Sequence, residues 1–212
     1  MNPLKRITTR AFRAELRAIA REFRIMLSHY RGVWHARSVK LPCMLHIGCG
    51  ANLKPGWVNV DSGADLSLDA REQLPFPDNS VTVIYSEHFF EHLSREDGQR
   101  FLLECARVLV PGGRLSIGVP DATLILRDYG DREKWQRTRD RYHPANCTTP
   151  MHSVNHFFRQ GEEHKYAYDE ETLVEAMRAA GFVDVKRRQW DVALDLPERR
   201  DGTLYVDGLK ES

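Results

Sequence analysis

The sequence lacks paired cysteines, long apolar runs and a recognisable leader. Its four cysteines (Cys43, Cys49, Cys105 and Cys147) show no C-x-x-C spacing, which favours a reduced chain over a disulfide scaffold. No stretch approaches the roughly 18 apolar residues of a membrane-spanning helix. Arginines interrupt every apolar run near the N-terminus, which excludes a signal peptide. We therefore expect a soluble, cytoplasmic protein.

Two common nucleotide-binding motifs are also missing. No G-x-x-x-x-G-K-[ST] run is present, so a P-loop is excluded. The segment "HIGCG" lacks the third glycine of a dinucleotide fingerprint. The next acid, Asp61, follows Gly50 by 11 residues, whereas that fingerprint places its acid about 20 residues further on. The sequence therefore disfavours NAD as a cofactor.

Residues 1–40 form a basic arm, with ten lysines and arginines against two acids, while the remaining residues carry 21 against 28. Apolar residues recur in the arm at steps of four and three, which predicts an amphipathic helix. They are Phe12, Leu16, Ile19, Phe23, Met26 and Tyr30. Residues 5–30 would then pack on their own domain or form a homodimer, or make a peripheral contact with an anionic membrane. Packing or dimerisation is favoured, and no binding module supports a nucleic-acid partner.

Residues 41–212 alternate short apolar strands with helices, which is typical of an α/β fold with a doubly wound, mostly parallel sheet. We count seven strands, including a short one over 65–69. The irregular segment at about 130–166 is predicted to form a lid over the substrate. Ligands of such a sheet bind at the carboxyl ends of its strands.

Three features at those strand ends describe an adenosine site. Gly48 and Gly50 allow a sharp turn close to a ligand directly after the first strand. Asp61 ends the next strand, where its carboxylate can accept hydrogen bonds from ribose hydroxyls. Asp69 ends the third, where it can accept one from an exocyclic amino group. Either aspartate alone could be an ordinary turn residue, but the three features in this order favour a nucleoside ligand.

Together, "LHIGCG", "VNVD", "LDAREQLPFPDNSVTVIYSEHFFEHL" and "ECARVLVPGGRLSIGVPD" resemble class I S-adenosylmethionine-dependent methyltransferases, in particular a bacterial group associated with glycan biosynthesis. The resemblance covers about residues 43–190 and implies a Rossmann-like fold with S-adenosylmethionine as cofactor. His46 stands where the family usually has an acid. The resemblance implies that the methionine portion of the cofactor contacts Gly48, Cys49 and Gly50, and that Asp61 holds the ribose. It implies that the adenine contacts Asp69 and Ala70. The remaining implied cofactor contacts are His46 and Ser86.

The segment "SEHFFEHL" also contains an H-x-x-E-H motif, which is typical of some zinc peptidases. A peptidase needs a third ligand and a mid-helix position, whereas this motif directly follows the strand "VTVIYS". Three alternatives stay open. In the first, Glu91 and His92 support the next helix. In the second, a divalent metal is bound by His88, Glu91 and His92, and in the third, His88 is a general base. We favour a structural role for Glu91 and His92 and a catalytic role for His88. We do not favour a bound metal.

A second polar cluster lies in the predicted lid. His152 and His156 have a metal-compatible spacing on a helix, but no acid or cysteine completes a ligand set. The favoured interpretation is that the residues of this cluster cap turns and line a polar cleft. Histidines near the reacting centre could still serve as the base, so His152 and His156 compete with His88 for that role. Asn155, and Asp121 at the tip of "VPD", are candidate substrate-binding residues.

The predicted reaction is methyl transfer to a small-molecule or glycan-type acceptor, favouring oxygen over nitrogen. Because the sulfonium is a good leaving group, the protein would mainly supply alignment and desolvation. The alternative is a non-catalytic scaffold that docks through its N-terminal helix. A nucleic-acid methyltransferase is disfavoured, since the domain is acidic and no Asn/Asp-Pro-Pro-Tyr motif follows the fourth strand.

Overall fold

The computed structural model describes residues 9–142 and 144–212, with the backbone alone for 138–142. Residues 1–8 of the predicted arm, which include residues 5–8 of the segment predicted to pack or dimerise, therefore lie outside the described residues. The strands are β1 Cys43–Ile47, β2 Val58–Val60, β3 Val81–Glu87, β4 Leu109–Pro120, β5 Phe182–Arg188 and β6 Thr203–Lys210. The α-helices are α1 Arg10–Ala36, α2 Arg95–Val108, α3 Ala122–Gly130, α4 Arg132–Tyr142, α5 Pro150–Arg159 and α6 Glu170–Ala179.

The strands form one mixed sheet in the order β2-β1-β3-β4-β6-β5. Neighbours among β2, β1, β3 and β4 are parallel, and β6 runs antiparallel to both β4 and β5. The carboxyl ends of the four parallel strands therefore share one edge of the sheet. This arrangement confirms the predicted α/β class with a mostly parallel sheet.

The predicted seven-stranded sheet is wrong in its count, since the described residues form six strands. Residues 65–69 contribute only a single bridge between Val60 and Leu66. The cause is the side chain of Asp65, whose Oδ2 accepts hydrogen bonds from the backbone N–H and the Nδ2 of Asn59, both at 2.9 Å. The backbone N–H of Asn59, at the edge of the sheet, is thus bonded to a side chain and is not available to pair with a further strand.

The sheet core follows from near-continuous apolar runs in its central strands. Leu45, Ile84, Leu115 and Ile117 are fully buried, as expected for strands covered on both faces. Helix α2 packs its apolar side on this core, and Phe101 is buried with them. The core fixes the strand ends from which the site is built.

The two helices that the sequence predicts before and after the lid, α2 and α6, each begin with a side-chain cap. Ser94 Oγ accepts from the N–H of Asp97 at 3.1 Å before α2. Asp169 Oδ1 accepts from the N–H of Thr172 at 2.9 Å before α6. Each bond satisfies a donor that the first helical turn leaves open, so both predicted helix starts are confirmed.

The segment between β4 and α6 is more regular than expected. The sequence predicts an irregular lid at about 130–166, but α4 and α5 lie within that range, and α3 leads into it. Trp135 on α4 donates its Nε1–H to the buried Ser153 Oγ on α5 at 2.9 Å. Asp121 caps α3, and its Oδ1 accepts from the N–H of Thr123 at 3.0 Å. Buried polar contacts of this kind give the segment a defined shape.

Helix α1 is the predicted amphipathic helix, and it contacts the domain through its C-terminal half. Gly32 and Ala36 are its buried residues. A Cβ at Gly32 would lie 2.2 Å from the carbonyl oxygen of Ser67, so only glycine permits this approach. Within the described residues, no helix combines the length and apolar character needed to cross a membrane.

Candidate functional site

The glycine turn after β1 forms the base of the site. Gly48 has φ +71° and donates its N–H to the carbonyl oxygen of Val60 at 2.9 Å. Gly50 has φ +51° and donates its N–H to Asp61 Oδ2 at 2.9 Å. A Cβ at Gly48 would lie 2.4 Å from Phe89. Positive φ and this close approach together explain the need for glycine at Gly48.

Asp61 directly follows β2 and fixes the turn through both carboxylate oxygens. Besides the bond from Gly50, its Oδ1 accepts the N–H of Ser62 at 2.6 Å. Both contacts are charge-assisted hydrogen bonds, which are stronger than neutral ones. The Asp61 carboxylate is therefore held in one orientation and still has lone pairs for a ligand's hydroxyl groups.

A cavity of about 580 Å³ opens above the turn, and we call it the glycine cavity. The predicted residues His46, Gly48, Cys49, Gly50 and Asp61 all line it. Burial, followed by the charge of Lys54, lowers the pKa of His46 to about 4. His46 is therefore neutral at pH 7. Its Nδ1 has no hydrogen-bond partner among the described residues.

Glu87 supplies an acid to the glycine cavity that the sequence prediction missed. Its Oε1 accepts a hydrogen bond from the Tyr205 hydroxyl at 2.8 Å, and its Oε2 lies 3.7 Å from Arg199 Nη1. Burial raises the pKa of Glu87, and those two partners oppose the rise. The sequence signal for Glu87 is its position at the end of β3, directly before His88 in "SEHFFEHL".

A second cavity of about 920 Å³ lies between the sheet edge and α1, and we call it the helix cavity. Asp69 and Ala70 line one side, and His29 and other residues of α1 line the opposite side. Asp61 borders both this cavity and the glycine cavity. A nucleoside extending from the glycine turn past Asp61 would therefore enter the space between the domain and α1.

Asp69 is already occupied by protein contacts. Arg71 Nη2 lies 2.7 Å from Asp69 Oδ2, and the backbone N–H of Asp69 donates to His29 Nδ1 at 3.1 Å. Burial raises the pKa of Asp69, but the hydrogen bonds from Arg71 outweigh it and leave the pKa below its usual value. Ser86, by contrast, is fully buried in β3 and lines neither cavity.

A third cavity of about 410 Å³ lies beneath the segment between β4 and α6, and we call it the lid cavity. Asp121, His156, His164 and Thr203 line it. His88, Glu198 and Arg199 border both the lid cavity and the glycine cavity. The two spaces therefore meet at His88 and at the segment that precedes β6.

His88 is held tightly at this junction. It has φ +54°, which is uncommon for a residue other than glycine. Its backbone N–H donates to the carbonyl oxygen of Gly118 at 2.8 Å, and its Nε2 lies 2.8 Å from Thr203 Oγ1. Burial, followed by the charge of Arg199, lowers the pKa of His88 to about 3. The imidazole is therefore neutral at pH 7, and strained backbone of this kind is common at functional sites.

Glu91, His92 and His164 form a compact cluster beside His88, with one potential ligand atom from each within 4.8 Å of the others. The Nδ1 of His92 lies 3.2 Å from the carbonyl oxygen of Glu163, and that of His164 lies 2.6 Å from the carbonyl oxygen of Phe157. Since carbonyl oxygens only accept, each Nδ1 carries the proton and each Nε2 is left as an acceptor.

The Glu91 carboxyl is buried, and neither oxygen has a hydrogen-bond partner among the described residues. Its Oε1 lies 3.9 Å from His92 Nε2 and 3.8 Å from His88 Nδ1. Burial raises the pKa of Glu91 to about 8. Glu91 is therefore protonated at pH 7, and two acceptor nitrogens and one carboxyl could alternatively bind a divalent cation.

Two of the predicted lid residues do not reach a described cavity. His152 is exposed, with its Nδ1 3.1 Å from Thr148 Oγ1, and Asn155 donates from Nδ2 to the carbonyl oxygen of Met151 at 3.0 Å. Asp121 does line the lid cavity, but its carboxylate caps α3 and lies 3.5 Å from Arg187.

The sequence prediction also missed His164, and it missed Glu198, Arg199 and Thr203 near the C-terminal end of the chain. The last three lie more than 100 residues after the glycine turn, in a segment without a motif. Arg199 Nη1 donates to the carbonyl oxygen of Glu87 at 2.9 Å, which draws this segment over the glycine cavity. Nothing in the local pattern of the segment indicates this contact.

Residues 59–117 match the methyltransferase domain family. Malonyl-[acyl-carrier protein] O-methyltransferase from Methylococcus capsulatus is 36% identical over 112 residues, covering 52% of this chain and 38% of that protein. An uncharacterised 37.1 kDa protein in transposon TN4556 of Streptomyces fradiae is 28% identical over 116 residues, covering 42% of this chain and 33% of that protein. The chain thus spans little more than a third of the length of these curated relatives.

Two solved structures are similar at low sequence identity. An S-adenosylmethionine-dependent methyltransferase from Thermotoga maritima is 17% identical with a TM-score of 0.45, covering 94% of this chain and 98% of that one. A second, from Archaeoglobus fulgidus, is 17% identical with a TM-score of 0.48, covering 79% and 85%. These values by themselves establish nothing about function.

The parallel sheet and the glycine turn with Asp61 have the arrangement that the resemblance to class I S-adenosylmethionine-dependent methyltransferases predicts, and residues 59–117 match a methyltransferase domain. Methyltransferases of that class use S-adenosylmethionine as their cofactor.

Proposed function

We propose that the protein transfers a methyl group from S-adenosylmethionine to an oxygen atom of a small-molecule or glycan-type acceptor. The observation that carries this proposal is the position of His88 in the wall shared by the glycine cavity and the lid cavity. A cofactor in the first space and an acceptor in the second would meet at this residue. The similar protein from Methylococcus capsulatus is also an O-methyltransferase by name.

The glycine cavity fits the cofactor's methionine portion. The backbone of Gly48 and Gly50 can approach a ligand because no Cβ intervenes, and Asp61 offers oriented acceptors for ribose hydroxyls. The adenine would enter the helix cavity beside Ala70. Asp69 would contribute there only through lone pairs that Arg71 leaves open. When bound, the cofactor supplies an activated methyl group on a cationic sulfur.

The lid cavity would align the acceptor oxygen with that methyl group and exclude water. As the new carbon–oxygen bond forms, the carbon–sulfur bond breaks, its electron pair stays on sulfur, and the acceptor hydroxyl becomes strongly acidic. A neutral imidazole can then take the proton even though its own pKa is low. His88 is the proposed base, and His156 is the second candidate because it also lines the lid cavity.

The Glu91, His92 and His164 cluster supports a variant of this proposal. Their donor atoms fit a divalent cation, which would help to orient an acceptor oxygen beside His88. In the simpler account no cation binds, and the buried Glu91 carboxyl stays protonated and neutral, 3.8 Å from His88 Nδ1 and 3.9 Å from His92 Nε2. Adding Mg²⁺, Mn²⁺ or Zn²⁺ during thermal unfolding distinguishes the two, because a cation that binds the folded state raises the melting temperature, and the stabilisation grows with the logarithm of the cation concentration relative to its dissociation constant.

Cofactor binding is tested by calorimetric titration with S-adenosylmethionine and S-adenosylhomocysteine. Asp61→Ala removes the acceptor of the Gly50 and Ser62 N–H groups and should weaken binding at least about tenfold, since a hydrogen bond to a charged group contributes about 1.5–3 kcal/mol. Asp78→Ala is the control, because Asp78 is an exposed carboxylate before β3, at the opposite edge of the sheet. Equal affinity of the two variants would contradict the proposed cofactor site.

Methyl transfer is tested with labelled cofactor and a panel of sugar, phenol and carboxylate acceptors. His88→Asn retains a residue type that tolerates positive φ. It should keep cofactor affinity while turnover falls by about 10²- to 10⁴-fold, the usual effect of losing a general base. Unchanged turnover would exclude His88 as the base. Absence of cofactor binding in the unaltered protein would instead support the non-catalytic scaffold.

A further inference from the structure

The outer face of α1 is a continuous apolar surface that no described part of the chain covers. Six large side chains along it are between 43% and 65% exposed, namely Phe12, Leu16, Ile19, Phe23, Met26 and Tyr30. Trp34 extends the row at 67% exposure, and Leu27 borders it at 44%. Isolated exposed apolar residues are ordinary, but a contiguous row of this size marks an interaction surface.

This surface faces away from the domain. Gly32 and Ala36 are buried against the domain, whereas Tyr30 and Trp34 are exposed. Each exposed residue precedes a buried one by two positions, and residues two apart on a helix point to opposite sides. The contacts of α1 with the domain therefore leave the apolar face open to a second binding partner.

The charge of α1 identifies the chemistry of that partner. The helix contains six arginines (Arg10, Arg13, Arg17, Arg21, Arg24 and Arg31) and two glutamates. One of these, Glu22, is paired with Arg71 of the domain at 2.7 Å and lies 3.6 Å from Arg21. A second copy of α1 would bring the same excess of positive charge. A surface with negative charge above an apolar interior complements both properties of the helix.

We propose that α1 binds an anionic lipid membrane, lying in the plane of the interface with its apolar face toward the acyl chains. The aromatic residues of this face suit that position, because tyrosine and tryptophan combine an apolar ring with a polar group. Arginines beside the face reach the headgroups through their long side chains. The domain then sits on the aqueous side, with the glycine turn and the lid cavity anchored near the surface.

Co-sedimentation of the full chain with vesicles tests this proposal. The protein should bind vesicles of phosphatidylcholine mixed with phosphatidylglycerol, bind pure phosphatidylcholine vesicles more weakly, and lose affinity as salt screens the charges. Ile19→Glu should lower the partition coefficient at least about tenfold, because it removes an apolar side chain that would enter the acyl region and adds a negative charge. Val192→Glu is the matched control, since Val192 is 77% exposed and lies outside α1.

Charge is tested separately with the double variant Arg17→Glu and Arg31→Glu. It should lower binding to the phosphatidylglycerol vesicles by at least about tenfold and leave binding to phosphatidylcholine almost unchanged. Circular dichroism and cofactor titration of all variants establish that the domain is intact. Equal vesicle binding by Ile19→Glu and Val192→Glu would overturn the proposal. So would a stable dimer in light scattering that Ile19→Glu converts to a monomer, since a second copy would then cover this face.

Discussion

Glu91 should control how the stability of this domain depends on pH. Its carboxyl is buried, has no hydrogen-bond partner among the described residues, and has a pKa raised by burial from 4.5 to about 8. The folded protein therefore holds a proton at this group that the unfolded chain releases above pH 4.5. Replacing Glu91 with glutamine keeps the size of the side chain and removes the titration.

The direction follows from proton linkage. A carboxyl with a raised pKa in the folded state contributes its full stability below the unfolded pKa of 4.5, and that contribution is lost as the pH rises toward 8. Each pKa unit corresponds to about 1.4 kcal/mol. Between pH 5 and pH 7.5, Glu91 should therefore lower the free energy of unfolding by about 3 kcal/mol. The Glu91→Gln variant should not show this loss.

Urea unfolding at the two pH values measures the difference directly. Glu91→Gln should gain about 3 kcal/mol over the unaltered protein on going from pH 5 to pH 7.5, while their m-values stay equal. Glu133→Gln is the control, because Glu133 is exposed on α4 and should leave the pH dependence as it is. Parallel pH profiles for Glu91→Gln and the unaltered protein would refute the reasoning, since Glu91 would then be ionised in the fold, for example by binding a cation.

Three further substitutions test other parts of the structure. Gly48→Ala places a Cβ 2.4 Å from Phe89 at φ +71°, so urea unfolding should show a loss of about 1–3 kcal/mol, and an unaltered midpoint would contradict the strain. Asp195→Asn weakens the buried pair in which Arg188 Nη1 lies 2.6 Å from Asp195 Oδ2. It should cost about 3 kcal/mol in the same assay, and a neutral result would show that the remaining partners suffice. Gly32→Leu should displace α1 and weaken cofactor binding by calorimetry while the circular dichroism of the sheet stays unchanged; unaltered affinity would separate α1 from the cofactor site.

The parts of the site that could be predicted from sequence are those encoded locally. A glycine turn after an apolar strand, and Asp61 at the end of the next strand, are readable because a few adjacent residues fix both the backbone and the chemistry. The caps at Ser94 and Asp169 follow from the same local logic. The amphipathic period of α1 likewise predicted a helix without any knowledge of the domain.

The parts that could not be predicted depend on contacts between distant segments. Arg199 reaches the glycine cavity only because the chain returns beside β4 after more than 100 residues. The failed strand at 65–69 was decided by one side chain, Asp65, which outcompeted a backbone ladder for the N–H of Asn59. The separation of His156 from His152 also needed the tertiary structure, since one lines a cavity and the other does not.

Helix α1 has two different faces, since His29 lines the helix cavity while Phe23 and Tyr30 are exposed on the outer side. A helix that borders a ligand site with one face and binds a partner with the other can couple the two binding equilibria. If membrane binding at the outer face strengthens the packing of Gly32 against the domain, the nucleoside binds more strongly. By reciprocity, nucleoside binding then strengthens attachment by the same factor.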